Sequence, residues 1–157
     1  MLFLPLAALL LTGCPSAYQR TYDQETARLE QQQQQTDAQQ AQLHAQASKY
    51  AAVIYFATGS AVIDQDGIRQ LNWFVAQMKP YPQANFLVQG FTDNVGSEAN
   101  NQQLSSQRAQ AVALYLQSQS IDPSRMSVQG FGTDYAAAPN ATAEGRRNNR
   151  RVELTVR

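Results

Sequence analysis

An aspartate and an arginine in the second half of the chain have the spacing of a binding pair. Asp93 follows a short apolar segment closed by Gly90, so we expect it just beyond a strand end, where loops present binding groups. Arg108 adjoins the apolar stripe of the next predicted helix and would point towards the edge of the sheet. The two side chains could bind a zwitterion, because a carboxylate accepts hydrogen bonds from ammonium and a guanidinium binds a carboxylate.

The same spacing also fits a purely structural salt bridge between Asp93 and Arg108, and the residues alone leave both interpretations open. A third polar residue, Asn101, lies seven positions before Arg108. The side chains of Asn101 and Arg108 therefore share one helical face, about two turns apart.

Residue types that support catalysis, metal binding or nucleotide binding are scarce. The chain has one histidine, His44, and one cysteine, Cys14, so neither a nucleophile–base pair nor a multi-cysteine metal site is predicted. His44 is interpreted as a solvated residue on a helix face. The glycines at 130 and 132 follow a predicted strand, but the third glycine and the helix of a dinucleotide-binding loop are missing. We expect no enzymatic activity, no cofactor and no metal.

The distribution of charge argues against nucleic acid as a partner. Lys plus Arg and Asp plus Glu number 12 each, so the chain has no net charge and no broad positive field. A local group of arginines does occur near the C-terminus, at Arg146, Arg147, Arg150, Arg151 and Arg157. We predict no nucleic-acid binding.

The elements that must position the pair are predicted in the order β-α-β-α-β-β. Short β-branched and aromatic runs predict strands at residues 53–56, 86–88, 126–128 and 152–156. Apolar residues at helical spacing predict one helix over residues 68–78, capped by Asp64 and Asp66, and a second ending near Ser118. This order predicts an α+β fold with the helices packed on one face of a mixed sheet.

A Gln-rich segment, residues 18–48, precedes the predicted sheet. It contains neither Gly nor Pro and consists largely of good helix formers. A seven-residue repeat of mostly apolar residues runs through it and just beyond, at Tyr22, Leu29, Thr36, Leu43 and Tyr50, although the other seam position is mostly glutamine. We predict a marginal helical spacer that could form a homo-oligomer.

The N-terminal segment predicts a signal peptide and a lipid anchor. Residues 1–11 form an apolar run, which is too short to span the ~30 Å hydrocarbon core of a membrane. Its end resembles the lipobox of bacterial lipoproteins: Leu11, Thr12, Gly13 and Cys14. The resemblance implies cleavage after Gly13, lipidation of Cys14 and, because Pro15 follows, a place in the outer membrane on its periplasmic face. A departure is that no Lys or Arg precedes the run.

Three parts are therefore predicted: a signal peptide at 1–13, a lipidated N-terminus with the spacer at 14–50, and a folded domain at 51–157. Five motifs of this domain are in register with those of a known family: Gly90, Phe91, Thr92, Asp93, Gly96 and Ser97; Asn101, Leu104, Ser105, Arg108 and Ala109; Gly130, Phe131 and Gly132; Asn140 and Thr142; and Gly145, Arg146, Asn149, Arg150, Arg151, Val152 and Glu153. On these motifs the domain resembles the OmpA-like (OmpA, MotB and Pal C-terminal) peptidoglycan-binding family, whose β-α-β-α-β-β fold agrees with the predicted order.

The resemblance assigns roles to six residues. Asp93 and Arg108 would bind the free zwitterionic end of diaminopimelate in the peptidoglycan stem peptide. The others would surround this ligand: Asn101 beside it, Thr92 and Leu104 lining the pocket, and Arg150 either supporting the rim or serving the fold. Two departures from the family pattern are Phe91, where many members have His, and Ala136, where many have Pro.

The function implied by the resemblance is that of a non-catalytic lipoprotein joining the outer membrane to the cell wall. An alternative remains open, in which a signalling or sequestering lipoprotein uses the same domain to bind a periplasmic protein. Such a partner could be of the Tol type or another.

Overall fold

The computed structural model describes residues 16–157. Cys14 and the apolar run before it lie outside the described residues, so lipidation stays a prediction. The chain divides into two units, Met1–Gln40 and Ala41–Arg157. Within residues 16–157, no helix has the length and apolarity needed to cross a membrane.

The Gln-rich segment is helical, as predicted. Helix α1 spans Ala17–Ala47, and almost all of its side chains are exposed. Side-chain hydrogen bonds one turn apart support it, for example from Gln19 to Asp23 at 3.0 Å and from Gln33 to Asp37 at 2.8 Å. Because the helix has little apolar surface to bury, its stability rests mainly on local helix propensity.

Four strands form one mixed sheet in the order β1-β4-β2-β3. The strands are β1 (Ala51–Tyr55), β2 (Phe86–Gly90), β3 (Met126–Gly130) and β4 (Arg151–Val156). Strand β2 pairs with β3 in parallel, whereas β4 lies antiparallel between β1 and β2. One end of the sheet therefore contains the last residues of β1, β2 and β3 and the first residues of β4.

Two helices cover one face of the sheet. They are α2 (Gln65–Met78) and α3 (Glu98–Ser118), and their apolar side chains join alternate residues of the strands in one core. Asp64 caps α2 as predicted, since its side chain accepts a hydrogen bond from the Gly67 N–H at 2.8 Å. The predicted α+β class and mixed sheet are confirmed.

Helix α3 packs very closely against the strand ends, and glycine makes this possible. A Cβ atom at Gly90 would lie 2.1 Å from the Ser105 carbonyl oxygen, and one at Gly130 would lie 2.4 Å from the Ser106 nitrogen. Real side chains do not tolerate such distances. The two glycines therefore determine how closely α3, which contains Arg108, approaches the ends of β2 and β3.

Besides a 3₁₀ turn at Pro123–Arg125, the structure adds one α-helix to the predicted order. A short helix, α4 (Ala143–Asn149), separates β3 from β4. It was not predicted because its seven residues carry no apolar periodicity. Its N-cap is Thr142, whose hydroxyl accepts a hydrogen bond from the Gly145 N–H at 3.0 Å.

Candidate functional site

Arg108 lies beside the loops that follow β1 and β2, and it is completely buried. Its guanidinium donates three hydrogen bonds to backbone carbonyls: from Nε to Ser60 at 2.9 Å, from Nη1 to Phe91 at 2.9 Å and from Nη2 to Ala57 at 3.1 Å. It thereby links α3 to the loop after β1 and to the end of β2. Each Nη atom carries two N–H groups, so one remains on each after these bonds.

The charged guanidinium of Arg108 is poorly solvated because it is buried. Burial lowers the pKa of its guanidinium to about 10, the negative charge of Asp93 opposes this shift, and the positive charge of Arg150 adds to it. Its Cζ atom lies 5.3 Å from the centre of the Phe56 ring, within the range of a cation–π contact. Arg108 still carries its charge at neutral pH, because the lowered pKa lies well above 7.

Asp93 forms its ion pair with Arg150. The distance from Asp93 Oδ2 to Arg150 Nη1 is 2.9 Å, and both side chains are largely shielded from solvent. The other carboxylate oxygen, Oδ1, accepts a longer bond from the Val95 N–H at 3.3 Å. The direct salt bridge to Arg108 that the spacing allowed is therefore replaced by one to Arg150.

The sheet topology explains why Arg150 reaches Asp93. Arg150 directly precedes β4, which lies between β1 and β2. Its carbonyl accepts from the Phe56 N–H at 2.9 Å, and its own Nε donates to the Phe56 carbonyl at 3.0 Å. Arg150 is thus fixed against the end of β1 while Nη1 points to the loop after β2.

Two further residues of the predicted site have unused hydrogen-bonding groups. Thr92 is buried, and its hydroxyl has no hydrogen-bond partner within residues 16–157. Asn101 is also a buried residue, and its amide makes no side-chain hydrogen bond in the same part of the chain, but unlike the Thr92 hydroxyl its polar atoms are not among the buried atoms that lack a partner. Its Oδ1 lies 4.0 Å from the place of a Cβ on Gly96, in the loop that carries Asp93.

The structure brings Asp93, Arg108 and Arg150 into one electrostatic cluster. Leu104 is half-buried on α3, one turn before Arg108, so it lies on the same side of that helix. No group of three or more His, Cys, Asp or Glu residues that could hold a metal ion occurs within residues 16–157.

A glycine in the left-handed region holds the neighbouring loops together. Gly132 has φ +56° and accepts from the Thr92 N–H at 2.7 Å, while its own N–H donates to the Ser105 hydroxyl at 2.8 Å. Asn140 extends this frame, because its Oδ1 accepts from the Asn94 N–H at 3.3 Å and from Asn149 Nδ2 at 2.8 Å. Ser105 and Asn140 belong to the family motifs, but the sequence did not predict that they support the loops of the site.

Phe91 supplies its carbonyl to Arg108, whereas its side chain packs elsewhere. The Phe91 ring stacks on Phe131 with centroids 5.5 Å apart, and the Arg151 guanidinium lies 4.1 Å from its centre. The departure from the family pattern at this position therefore adds to an aromatic stack and leaves the bond to Arg108 in place.

Comparison with known proteins decides the family. The sequence pattern of the OmpA family matches residues 55–150. The chain belongs to the OmpA family. The resemblance found in the motifs is thereby confirmed.

Two curated relatives and one solved structure illustrate the membership. The chain is 40% identical over 103 residues to a probable lipoprotein, YiaD, of Escherichia coli, covering 66% of this chain and 47% of that protein. It is 41% identical over 98 residues to the peptidoglycan-binding protein ArfA of Mycobacterium tuberculosis, covering 62% of this chain and 30% of ArfA. This OmpA-family chain thus spans about half or less of the length of these relatives.

The fold also agrees with a solved member. The peptidoglycan-associated lipoprotein from Burkholderia pseudomallei superposes with a TM-score of 0.64 at 25% identity. The likeness covers 68% of this chain and 90% of that one.

Proposed function

We propose that this chain is a non-catalytic outer-membrane lipoprotein that tethers the membrane to the cell wall by binding the diaminopimelate of peptidoglycan stem peptides. Membership of the OmpA family supports the proposal, together with the similarity to a peptidoglycan-binding protein and to a peptidoglycan-associated lipoprotein. Cys14 would carry the lipid anchor, and α1 would bridge the anchor and the folded domain.

The observation that carries the proposal is the combination of charge and unused hydrogen-bonding groups at the strand ends. One buried carboxylate, Asp93, lies among two guanidinium groups, those of Arg108 and Arg150. Beside them, the Thr92 hydroxyl is buried without a hydrogen bond in the described part of the chain, and the Asn101 amide makes no side-chain hydrogen bond there. A buried polar group without a partner costs about 1–3 kcal/mol, so a polar ligand that satisfies these groups would gain that energy.

A zwitterion fits this arrangement in one specific way. Its ammonium group takes the place of the Arg150 guanidinium at Asp93, because a carboxylate accepts strongly from either cation. Its carboxylate then accepts from the released Arg150 and from the N–H groups that Arg108 has not used for backbone carbonyls. Arg108 is fully buried, so contact between the ligand and its remaining N–H groups requires the surrounding residues to move.

The test is retention of the full chain on purified peptidoglycan of two kinds. Diaminopimelate-type stem peptides carry the terminal carboxylate, and lysine-type stem peptides carry only the ammonium group. We expect strong retention on the first and weak retention on the second, and we expect free diaminopimelate to elute the protein.

The variant that tests the contact with the ammonium group is Asp93→Asn. It keeps the shape of the side chain and removes the charge that would bind ammonium. Its loss of binding should be roughly 2–5 kcal/mol, part of which reflects the unpaired cations left behind. The control is Asp134→Asn, at an exposed aspartate outside the cluster. Equal retention of Asp93→Asn and the control on diaminopimelate-type peptidoglycan would overturn the proposal.

The anchor is tested separately with Cys14→Ser. Because two or more acyl chains hold a protein firmly on a membrane, removal of the acceptor thiol should release the chain from the membrane fraction after the cell wall is digested. A variant that stays with the outer membrane in wall-free preparations would rule out Cys14 as the anchor.

A further inference from the structure

A second polar cleft lies at the opposite end of the sheet from Asp93. Strand β2 begins at Phe86 and β3 at Met126, and Arg157 follows the end of β4. The cleft has a volume of about 560 Å³, and its polar lining comprises His44, Asn85, Ser124, Arg125, Ser127 and Arg157. We call it the basic cleft. The family resemblance assigned no role to any of these residues.

Arg125 is held rigidly in the basic cleft. Its Nε donates to the Ala84 carbonyl at 2.8 Å and its Nη2 to the Tyr81 carbonyl at 3.1 Å. Its Cζ atom lies 4.9 Å from the centre of the Phe86 ring. Its Nη1 makes no hydrogen bond within residues 16–157. A ligand that binds Nη1 would therefore meet a side chain whose conformational freedom is already largely lost, which lowers the entropic cost of binding.

The charge around the cleft is positive. Arg125 and Arg157 both line it, and no Asp or Glu is among its lining residues. Asp122 is the nearest acid in sequence, and its carboxylate is engaged by the Ser124 N–H at 2.8 Å. The Arg157 backbone N–H donates to the Asn85 carbonyl at 2.8 Å, which fixes the backbone of that residue at the cleft.

We propose that the basic cleft binds a phosphate group. One pair of parallel donors of the Arg125 guanidinium, Nε with Nη2, is occupied by backbone carbonyls. The donors that remain are the other N–H groups of Arg125, on Nη1 and Nη2, and the polar side chains of three further lining residues, Asn85, Ser127 and Arg157. A phosphate has more acceptor oxygens than a carboxylate, and they point in tetrahedral directions, so it matches donors from several residues better than a planar carboxylate does.

The phosphate could belong to a membrane lipid headgroup or to a soluble phosphate ester, and both present the same chemistry to the cleft. The first experiment uses the full chain with Cys14→Ser in detergent and titrates it with glycerol 3-phosphate. Amide signals of Ser124 and Ser127 are followed by nuclear magnetic resonance. We expect saturable shifts at these residues, and none with chloride at matched ionic strength.

Arg157→Gln is the main variant, because Arg157 is exposed and its removal leaves the fold intact. Loss of one charged hydrogen-bond donor should weaken the affinity about tenfold. Arg147→Gln removes the same charge from the exposed surface of α4 and should leave the affinity unchanged. His44→Gln combined with Arg157→Gln should weaken binding further. Shifts that do not saturate, or equal affinity in the Arg157 and Arg147 variants, would overturn the proposal.

A second arm separates the two sources of phosphate. The same proteins are sedimented with phosphatidylglycerol vesicles, and Asp93→Asn is included to show that the cleft acts apart from the peptidoglycan site. Weaker vesicle binding in Arg157→Gln than in Arg147→Gln indicates a lipid headgroup. Equal vesicle binding, with weaker binding of glycerol 3-phosphate, indicates a soluble phosphate ester.

Discussion

Arg150 and Asp93 are 57 residues apart in the chain, yet their side chains form an ion pair at 2.9 Å. The pair joins the residue before β4 to the loop after β2. Arg108, which carries the other positive charge of the cluster, is bound to three backbone carbonyls. The two arginines therefore differ in their partners: the Arg108 guanidinium binds only backbone carbonyls, whereas the Arg150 guanidinium also forms the ion pair with Asp93.

The coupling between Asp93 and Arg150 can be measured as a contribution to stability. Because both side chains are mostly buried, we expect a coupling energy of about 1–3 kcal/mol in a double-mutant cycle of Asp93→Asn and Arg150→Gln. The measurement is urea unfolding of the four proteins of the cycle. Additive effects of the two substitutions would show that the pair contributes no specific stability.

Arg108→Ala should destabilise the domain strongly. The substitution leaves the carbonyls of Ala57, Ser60 and Phe91 without their donor, and it leaves a cavity next to Phe56. Loss of a buried charged partner of this kind typically costs about 3–5 kcal/mol. Urea unfolding measures the loss, and Arg147→Ala on the exposed side of α4 is the control. A loss as small as that of the control would show that the three bonds are not important to the fold.

Gly90→Ala should be much more damaging than Gly59→Ala. The new Cβ would lie 2.1 Å from the Ser105 carbonyl oxygen and would push α3, with Arg108, away from the strand ends. We expect a loss of at least about 2 kcal/mol from overpacking. Gly59→Ala is the comparison, since that site has φ +65° but nothing within 4 Å, and its backbone strain should cost about 1 kcal/mol.

Thermal melts of both glycine variants measure this difference. Peptidoglycan retention provides a second readout, because Gly90→Ala displaces Arg108 and Gly59→Ala leaves α3 in place. A Gly90 variant as stable as the Gly59 variant would contradict the close approach of helix and strand.

The turn before β3 should make a small pH-dependent contribution to stability. The backbone and side-chain hydrogen bonds from Ser124 hold the pKa of Asp122 below its ordinary value of 3.8, while its slight desolvation opposes them and the charge of Arg125 assists them. A carboxyl whose pKa is lower in the folded state stabilises the fold above its unfolded pKa. That stability is lost as the pH falls through the folded pKa.

The difference in unfolding free energy between the original chain and Asp122→Asn should therefore be constant at neutral pH and shrink below about pH 3.8. Urea titrations over this range measure it. A difference that is independent of pH would mean that the carboxylate does not act through its charge.

Much of the fold could be predicted from sequence because its signals are local. The alternation of buried residues in β1, the apolar stripe of α2 and the Asp64 cap each arise within a few neighbouring residues. Helix α4 carries no such signal, since it is short and contains no large apolar residue. Local patterns therefore predicted the elements that form the core and missed the one that frames the site.

The candidate site was predicted less completely, for two physical reasons. The partners of Arg108 are backbone carbonyls, which every residue has, so no residue type marks Ala57 or Ser60 in advance. Asp93 pairs with Arg150 because β4 lies between β1 and β2, and no local sequence pattern predicts that strand order. The family motifs include Arg150, but they left open whether it supports the rim of the ligand pocket or has a structural role in the fold.

Helix α1 exposes apolar side chains, and we predict that a second copy of the chain covers them. Tyr22 and Leu29 are each 59% exposed, and Leu43 follows Leu29 at twice the seven-residue spacing. Heptad spacing of this kind favours a coiled coil, although the glutamines at the other seam position weaken it. We expect reversible, concentration-dependent self-association of the Cys14→Ser chain in analytical ultracentrifugation.

Leu29→Gln should shift this equilibrium towards the monomer, because it removes an apolar contact from the centre of the seam. Gln31→Ala lies off the seam and should leave association unchanged, while its higher helix propensity keeps the helix intact. If the two variants sediment alike, the seam does not mediate contact between copies. Association would then have to arise from another surface, and α1 would act only as a spacer.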